Sequence, residues 1–311
     1  MALPRVCRLL LPDCALLAAL LVLAQYCPHL GLDVTQRGFF CDDATLRYPY
    51  RDSTVSTAAL YLIGFYLPLV VMVSAELLCL LFIRWQRRKN AASANAAQSE
   101  GAKLLELYQV ASAFLLGYGC ERFFKAVAKS TVGRLRPHFF AVCQPLTPDG
   151  SSCDDPQLAG RYIEDYTCLG VNATDSMLKN AHLSFPSGHS SLSFYGMVFL
   201  AFYLQRCMSG RQPAVRVLKP LLQLACLLVA WYVALSRVMD YKHHWSDALA
   251  GAVLGTAVAV FVALNLERGW CRQRTEQQQQ QQELRQFVAC RCGQAAAPNE
   301  ALTEVKSMPP S

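Results

Sequence analysis

The chain has 311 residues, of which 53% are hydrophobic and only 16% charged, and it carries a formal net charge of +7. Its apolar residues fall in blocks too long for the core helices of a soluble protein, which excludes one or two soluble globular domains. The positive excess sits in short runs beside those blocks, a distribution that argues against nucleic acid as a partner.

A bilayer core takes roughly 20 apolar residues per helix. Six segments qualify as candidate spans: Leu9–Tyr26, Thr57–Ile83, Leu104–Val127, Ser187–Leu204, Val217–Leu235 and Ala248–Leu266. The third and fourth carry polar residues and rank lower on hydropathy alone. Arg5 and Arg8 ahead of the first also fit a secretory signal peptide. No small-x-small cleavage site follows and Asp13 interrupts the apolar stretch, which favours a retained anchor. Both readings give the same orientation downstream.

Arg84, Arg87, Arg88 and Lys89 follow the second span. Arg206, Arg211, Arg216 and Lys219 fill the link between the fourth and fifth, and Arg268, Arg272 and Arg274 follow the sixth. By the positive-inside rule these segments are cytosolic and both termini lie inside. The loops 27–56, 128–186 and 236–247 then face the lumen or the extracellular side. Asn172-Ala173-Thr174, a glycosylation sequon, falls on that side. So do Cys27, Cys41, Cys143, Cys153 and Cys168, in a compartment where disulfides persist. Five is odd and the connectivity stays open; Cys143, Cys153 and Cys168 share one loop and are the readiest source of a pair.

Asn90–Lys103, rich in Ala, Ser and Asn, reads as a flexible cytosolic link. The end of the chain holds six consecutive glutamines, Gln277–Gln282, and too few apolar residues for a core. The expected organisation is an N-terminus with a first anchor over 1–30, a membrane domain over 31–266 and a disordered cytosolic tail over 267–311. The fold class is all-α, a six-transmembrane-helix bundle with an extracellular or luminal site.

Three patches carry the chemistry, each at the edge of an apolar run on that outer side. In Lys129–Pro137, K-S-T-V-G-R-L-R-P, Lys129 and Arg136 stand two helical turns apart, and Pro137 disfavours helix at Arg136. A guanidinium fork and an ammonium suit phosphate oxygens. In Pro186–His189, P-S-G-H, a span begins at Ser187 and Gly188, so free N–H groups and a positive helix end offer an anion site. In Ser236–Asp247, S-R-V-M-D-Y-K-H-H-W-S-D, Arg237 closes one span while His243 and Asp247 stand four apart. A helix starting near His243 would put both on one face, the carboxylate fixing the imidazole tautomer. His244 reads as interfacial, and His29, His138 and His182 as solvated loop residues.

Together the patches resemble the K-x6-R-P, P-S-G-H and S-R-x5-H-x3-D motifs of the type 2 phosphatidic acid phosphatase superfamily. R-G-F-F-C-D-D at Arg37–Asp43 and R-Y-P-Y at Arg47–Tyr50 make the animal lipid phosphate phosphatases the nearest likeness, over roughly Arg37 to Leu266. The resemblance implies an integral-membrane lipid phosphate phosphohydrolase acting on phosphatidate, lysophosphatidate, sphingosine 1-phosphate and ceramide 1-phosphate. It implies His243 as nucleophile forming a phosphohistidine, Asp247 orienting it, and His189 as general acid. Lys129, Arg136, Arg237, Ser187 and Gly188 then cradle the phosphate, with no metal and no cofactor. The implied setting is a multi-pass protein of the plasma membrane with its site outside and Asn172 glycosylated; internal membranes and a homo-oligomer stay open as alternatives. Three other classes compete with this reading. An adhesion or scaffolding protein would not need the complete reactive set. For a transporter or receptor, no span carries a substrate-like cluster of charges apart from Glu76 and Glu106, which read as buried packing partners, and a head-group transferase shares the His–Asp pair without the first two patches.

Overall fold

A computed structural model describes residues 34–89, 95–208 and 213–268, together with four helical positions, Ala15, Ala18, Ala19 and Val22. The remainder of the first predicted span, Cys27, His29 and the glutamine-rich tail lie outside the described residues. The described residues up to Leu264 belong to one compact unit, and those from Asn265 to Arg268 fall to a second.

Five long helices dominate the described residues. Helix α1 runs through Thr57–Tyr61, a π-helical turn Leu62–Tyr66 and Leu67–Lys89. Helix α2 is Asn95–Val132. After the short α3 (Phe139–Cys143) and α4 (Asp175–Ala181) come α5 (Gly188–Cys207), α6 (Pro213–Met239) and α7 (Trp245–Arg268). Three of them are long and apolar enough to cross a membrane, over Thr57–Gln86, Pro213–Met239 and Trp245–Arg268. Helix α2 fails that measure because Glu106, Glu121, Arg122, Lys125 and Lys129 punctuate it, and α5 because it opens on Gly188, His189, Ser190 and Ser191. The expected flexible link is partly helical: α2 begins at Asn95, where Ala96, Ala97 and Ala102 favour helix.

Helix α5 is the central element, with most of its length buried against α1, α2, α6 and α7. Glycines permit that approach. Pro68 has no N–H to give the Gly64 carbonyl one turn back, and a Cβ at Gly196 of α5 would stand 2.0 Å from that oxygen. On the other flank, a Cβ at Gly255 of α7 would lie 2.1 Å from the Ser191 carbonyl. Helix α6 turns Cys226, Ala230, Val233 and Arg237 inward and leaves Leu224, Leu228, Trp231 and Leu235 exposed. Two buried carboxylates of the bundle are paired. Glu121 bonds Ser191 and Lys125, and Glu76 meets Lys103 at 2.9 Å and the Tyr203 hydroxyl at 3.1 Å. Glu76 and Glu106 are thus partners within the bundle, Glu106 pairing with Lys103 and Arg206.

Above the helix ends sits a cap that the sequence reading did not anticipate. Two short antiparallel ladders build it, β1 (Phe39–Phe40) on β3 (Tyr162–Ile163) and β2 (Pro145–Leu146) on β4 (Thr167–Cys168). Phe39 packs on Phe139, Phe140 and Tyr166 with ring centroids 5.0–5.3 Å apart. Two disulfides staple the cap, Cys143–Cys168 within the expected loop and Cys41–Cys153. His182 is not a solvated loop residue. It is half-buried between the Tyr166 hydroxyl and the Leu178 carbonyl, both at 2.9 Å.

Candidate active site

The C-terminal ends of α2 and α6 and the N-terminal ends of α5 and α7 meet under the cap. Beside them, bounded also by α4 and by Tyr50, Ser53 and Thr57 leading into α1, lies a cavity of about 320 Å³ lined by Arg136, Arg237, Lys242, His138, His189 and His243 among others. Sequence positions more than 100 residues apart therefore converge on one basic pocket.

Helix α2 stops at Val132 because Gly133 takes φ +56°, and any Cβ there would meet the Thr35 carbonyl at 1.9 Å. The chain then runs extended past Arg136, whose N–H bonds the Ala181 carbonyl at 2.9 Å. Arg136 Nε is buried without a protein partner, and Lys129 Nζ donates to the Leu183 carbonyl at 2.7 Å. Burial, with Arg136 beside it, holds the Lys129 ammonium well below its ordinary range, and burial brings Arg136 down to about 10. Such desolvated cations gain from an incoming dianion.

Ser187 is the N-cap of α5; its hydroxyl accepts from the Ser190 N–H and its own N–H donates to the Asp247 carbonyl at 2.9 Å. The side chain of Lys125 occupies the space a Cβ would enter at Gly188. His189 lies beside the Val55 carbonyl, and its Nε2 is buried with no protein partner. That nitrogen belongs to a cavity-lining ring and is free to exchange a proton there.

Arg237 is 1% exposed and donates to Ser236, to Ser53 Oγ at 3.2 Å and to Asp240 Oδ2 at 2.7 Å. Asp240 also takes the Thr54 N–H and hydroxyl at 2.8 and 2.7 Å, which fastens the loop before α1 to the end of α6.

Helix α7 starts at Trp245, so His243 lies outside it and the expected shared helical face is replaced by another geometry. Asp247 Oδ2 reaches back to the His244 N–H at 3.0 Å, as in a capping box, while Oδ1 pairs with Arg134 at 2.6 Å. These bonds hold the carboxylate 3.9 Å from His243 Nδ1, beyond hydrogen-bond range, with Ser184 between them. Burial, then Arg136, Lys129 and His189, keep the His243 imidazole well below its usual pKa. It is therefore neutral at physiological pH, the state in which an imidazole nitrogen keeps its lone pair.

Residues 107–270, which contain all three patches, match the PAP2 superfamily. The chain belongs to the PAP2 superfamily. It is 39% identical to phospholipid phosphatase 1 of Rattus norvegicus over 253 residues, covering 81% of each. It is 34% identical to phospholipid phosphatase 2 of Bos taurus over 224 residues, 72% of this chain and 71% of that one. A Drosophila melanogaster protein proposed to be a phosphatidate phosphatase is 46% identical over 231 residues, 73% of this chain. The match covers 60% of the Drosophila protein, so the chain spans less than two thirds of that relative's length. No solved structure matches.

The structure brings Arg136, Arg237, His189 and His243 to the cavity wall, whereas Lys129, Ser187, Gly188 and Asp247 are not among its lining residues. Several contributors escaped the sequence reading. His138, read as solvated, is 3% exposed, lines the cavity and bonds the Tyr241 carbonyl at 2.8 Å; burial lowers it to about 4. Lys242 lies 3.4 Å from the centre of the Tyr50 ring, and burial brings it to about 8. Asp240 stands three residues after Arg237, an ion-pair spacing that was available in the sequence. Among the described residues no group of three His, Cys, Asp or Glu side chains is placed to hold a metal ion.

Proposed function

We propose that this chain is a lipid phosphate phosphatase that hydrolyses phosphomonoesters of lipids through a phosphohistidine, without a divalent metal. Lipid phosphatase activity has the support of relatives named phospholipid phosphatase. The observation that carries the mechanism is a neutral, buried His243 facing the same basic cavity as the unpartnered Nε2 of His189.

The phosphoryl dianion enters beside Arg136 and Arg237, with Lys129 and the helix end at Ser187 and Gly188 adding positive charge from outside the cavity lining. His243 Nε2 attacks phosphorus; as the P–O bond to the lipid breaks, His189 gives its proton to the departing alkoxide. His189 then takes a proton from water, whose oxygen attacks the phosphohistidine and frees phosphate and the neutral imidazole. Fixed cations supply the charge that stabilises the transferring group. Phosphatidate, lysophosphatidate, sphingosine 1-phosphate and ceramide 1-phosphate share the headgroup this cradle fits, their tails remaining in the bilayer.

In this reading the six apolar segments are spans, and the basic clusters at Arg84–Lys89 and Arg206–Lys219 orient them with the site outside. Both disulfides and the exposed Asn172 belong to loops on that same outer side, which supports a non-cytosolic site and glycosylation at Asn172. The direct test is phosphate release from a panel of lipid phosphates by purified protein in detergent micelles containing EDTA. Activity unchanged by EDTA and blocked by vanadate is expected; activity lost on chelation and restored by Mg²⁺ overturns metal independence.

A further inference from the structure

His243 and Asp247 do not touch, and Ser184 occupies the gap. Its hydroxyl donates to Asp247 Oδ2 at 2.6 Å and lies 3.4 Å from His243 Nδ1. Its backbone carbonyl faces the same imidazole. Ser184 and Asp247 are fully buried and His243 is 4% exposed, so bulk water does not compete for these bonds. The carboxylate cannot swing onto Nδ1 without giving up Arg134 or the His244 N–H. Arg134 also places the serine, since its carbonyl accepts the Ser184 N–H at 2.9 Å.

We propose that Ser184 is a positioning residue that couples Asp247 to His243. Its oxygen accepts the Nδ1–H while its own proton goes to the carboxylate, so Nε2 keeps the lone pair that faces the cavity. The inference rests on His243 being the nucleophile. As Nε2 bonds to phosphorus the ring becomes positive, and the 3.4 Å contact shortens as a resting catalytic hydrogen bond does. The serine hydroxyl then carries the carboxylate's field to the ring through one polarised bond. Without it the ring keeps the Ser184 carbonyl but loses its link to Asp247.

The test compares wild type with Ser184→Ala and with Ser184→Cys, whose thiol fills the site but donates weakly. Each is purified in micelles and assayed on lysophosphatidate from pH 4 to 9, with folding checked by thermal melting. Loss of an orienting partner of this kind predicts a fall in kcat of about 10- to 100-fold. KM stays near wild type, and the acid limb of kcat/KM moves to lower pH because the imidazolium has lost the carboxylate's stabilisation. Should one variant fail to fold, the other reads the same limb. An acid limb that stays in place in any folded variant lacking the hydroxyl overturns the proposal, whatever happens to kcat. His243→Ala serves as the control on the underlying reading: if it turns over, the nucleophile is wrong, a result separate from anything Ser184 shows.

Discussion

His189 and His243 share a cavity wall, and the roles proposed for them part company when the leaving group changes. His243→Ala abolishes turnover of every phosphomonoester. His189→Asn loses roughly 10²–10⁴-fold on lysophosphatidate, the usual worth of a general acid, and far less on p-nitrophenyl phosphate, whose phenolate leaves unaided. Equal losses on the two substrates, in folded protein, contradict that assignment. Lys242 gives a second prediction. With its ammonium at about 8, it is charged below that pH and neutral above it, so KM for an anionic substrate rises as pH passes 8. Lys242→Arg keeps its charge and flattens that rise; an unchanged KM profile in the variant rules Lys242 out as its source. The reactive side chains were legible because their spacing is local. Thr54, Arg134 and Ser184 were not, since Thr54 serves Asp240 from 186 positions away and Ser184 serves Asp247 from 63.

Helix α5 positions Ser187, Gly188 and His189 only because its neighbours come close at glycines. Gly196→Leu or Gly255→Leu drives a side chain into a backbone carbonyl that a Cβ alone would approach to 2.0 or 2.1 Å. Overpacking of this kind costs at least about 1–3 kcal/mol, so both variants should melt lower and lose activity. Gly101→Ala, with open space around its Cβ, should melt no lower than wild type; if all three behave alike, the packing account fails. In the cap, the Cys143–Cys168 bridge closes a separation of 25 residues, and replacing both cysteines by serine should cost roughly 3 kcal/mol by loop entropy, seen as a lower melting midpoint. Four of the six predicted spans correspond to described helices within a few residues, because apolar length is read directly. The α2 start was obscured by its Ala- and Asn-rich composition, and strands of two residues leave no alternating pattern for a reader to find.

At the scale of the whole molecule, four helix ends of different sequence address meet under one cap, and the basic clusters belong to the opposite ends. Intact cells expressing the protein at their surface should therefore dephosphorylate lipid phosphates supplied from outside. Asn172→Gln should remove a glycan and speed gel migration, while hydrolysis confined to cytosolic substrate contradicts the orientation. The sequence carried the family and the cation set; it could not carry the cavity, which exists only where Arg136, His189, Arg237 and His243 converge. The most direct test of the central claim is to trap the phosphoryl group on the protein. Purified enzyme mixed with radiolabelled lysophosphatidate and quenched in alkali should carry label that survives base and is released by acid, as a phosphohistidine does, and His243→Ala should carry none. Label that persists on folded His243→Ala, or no label on active wild type quenched within its first turnover, contradicts it.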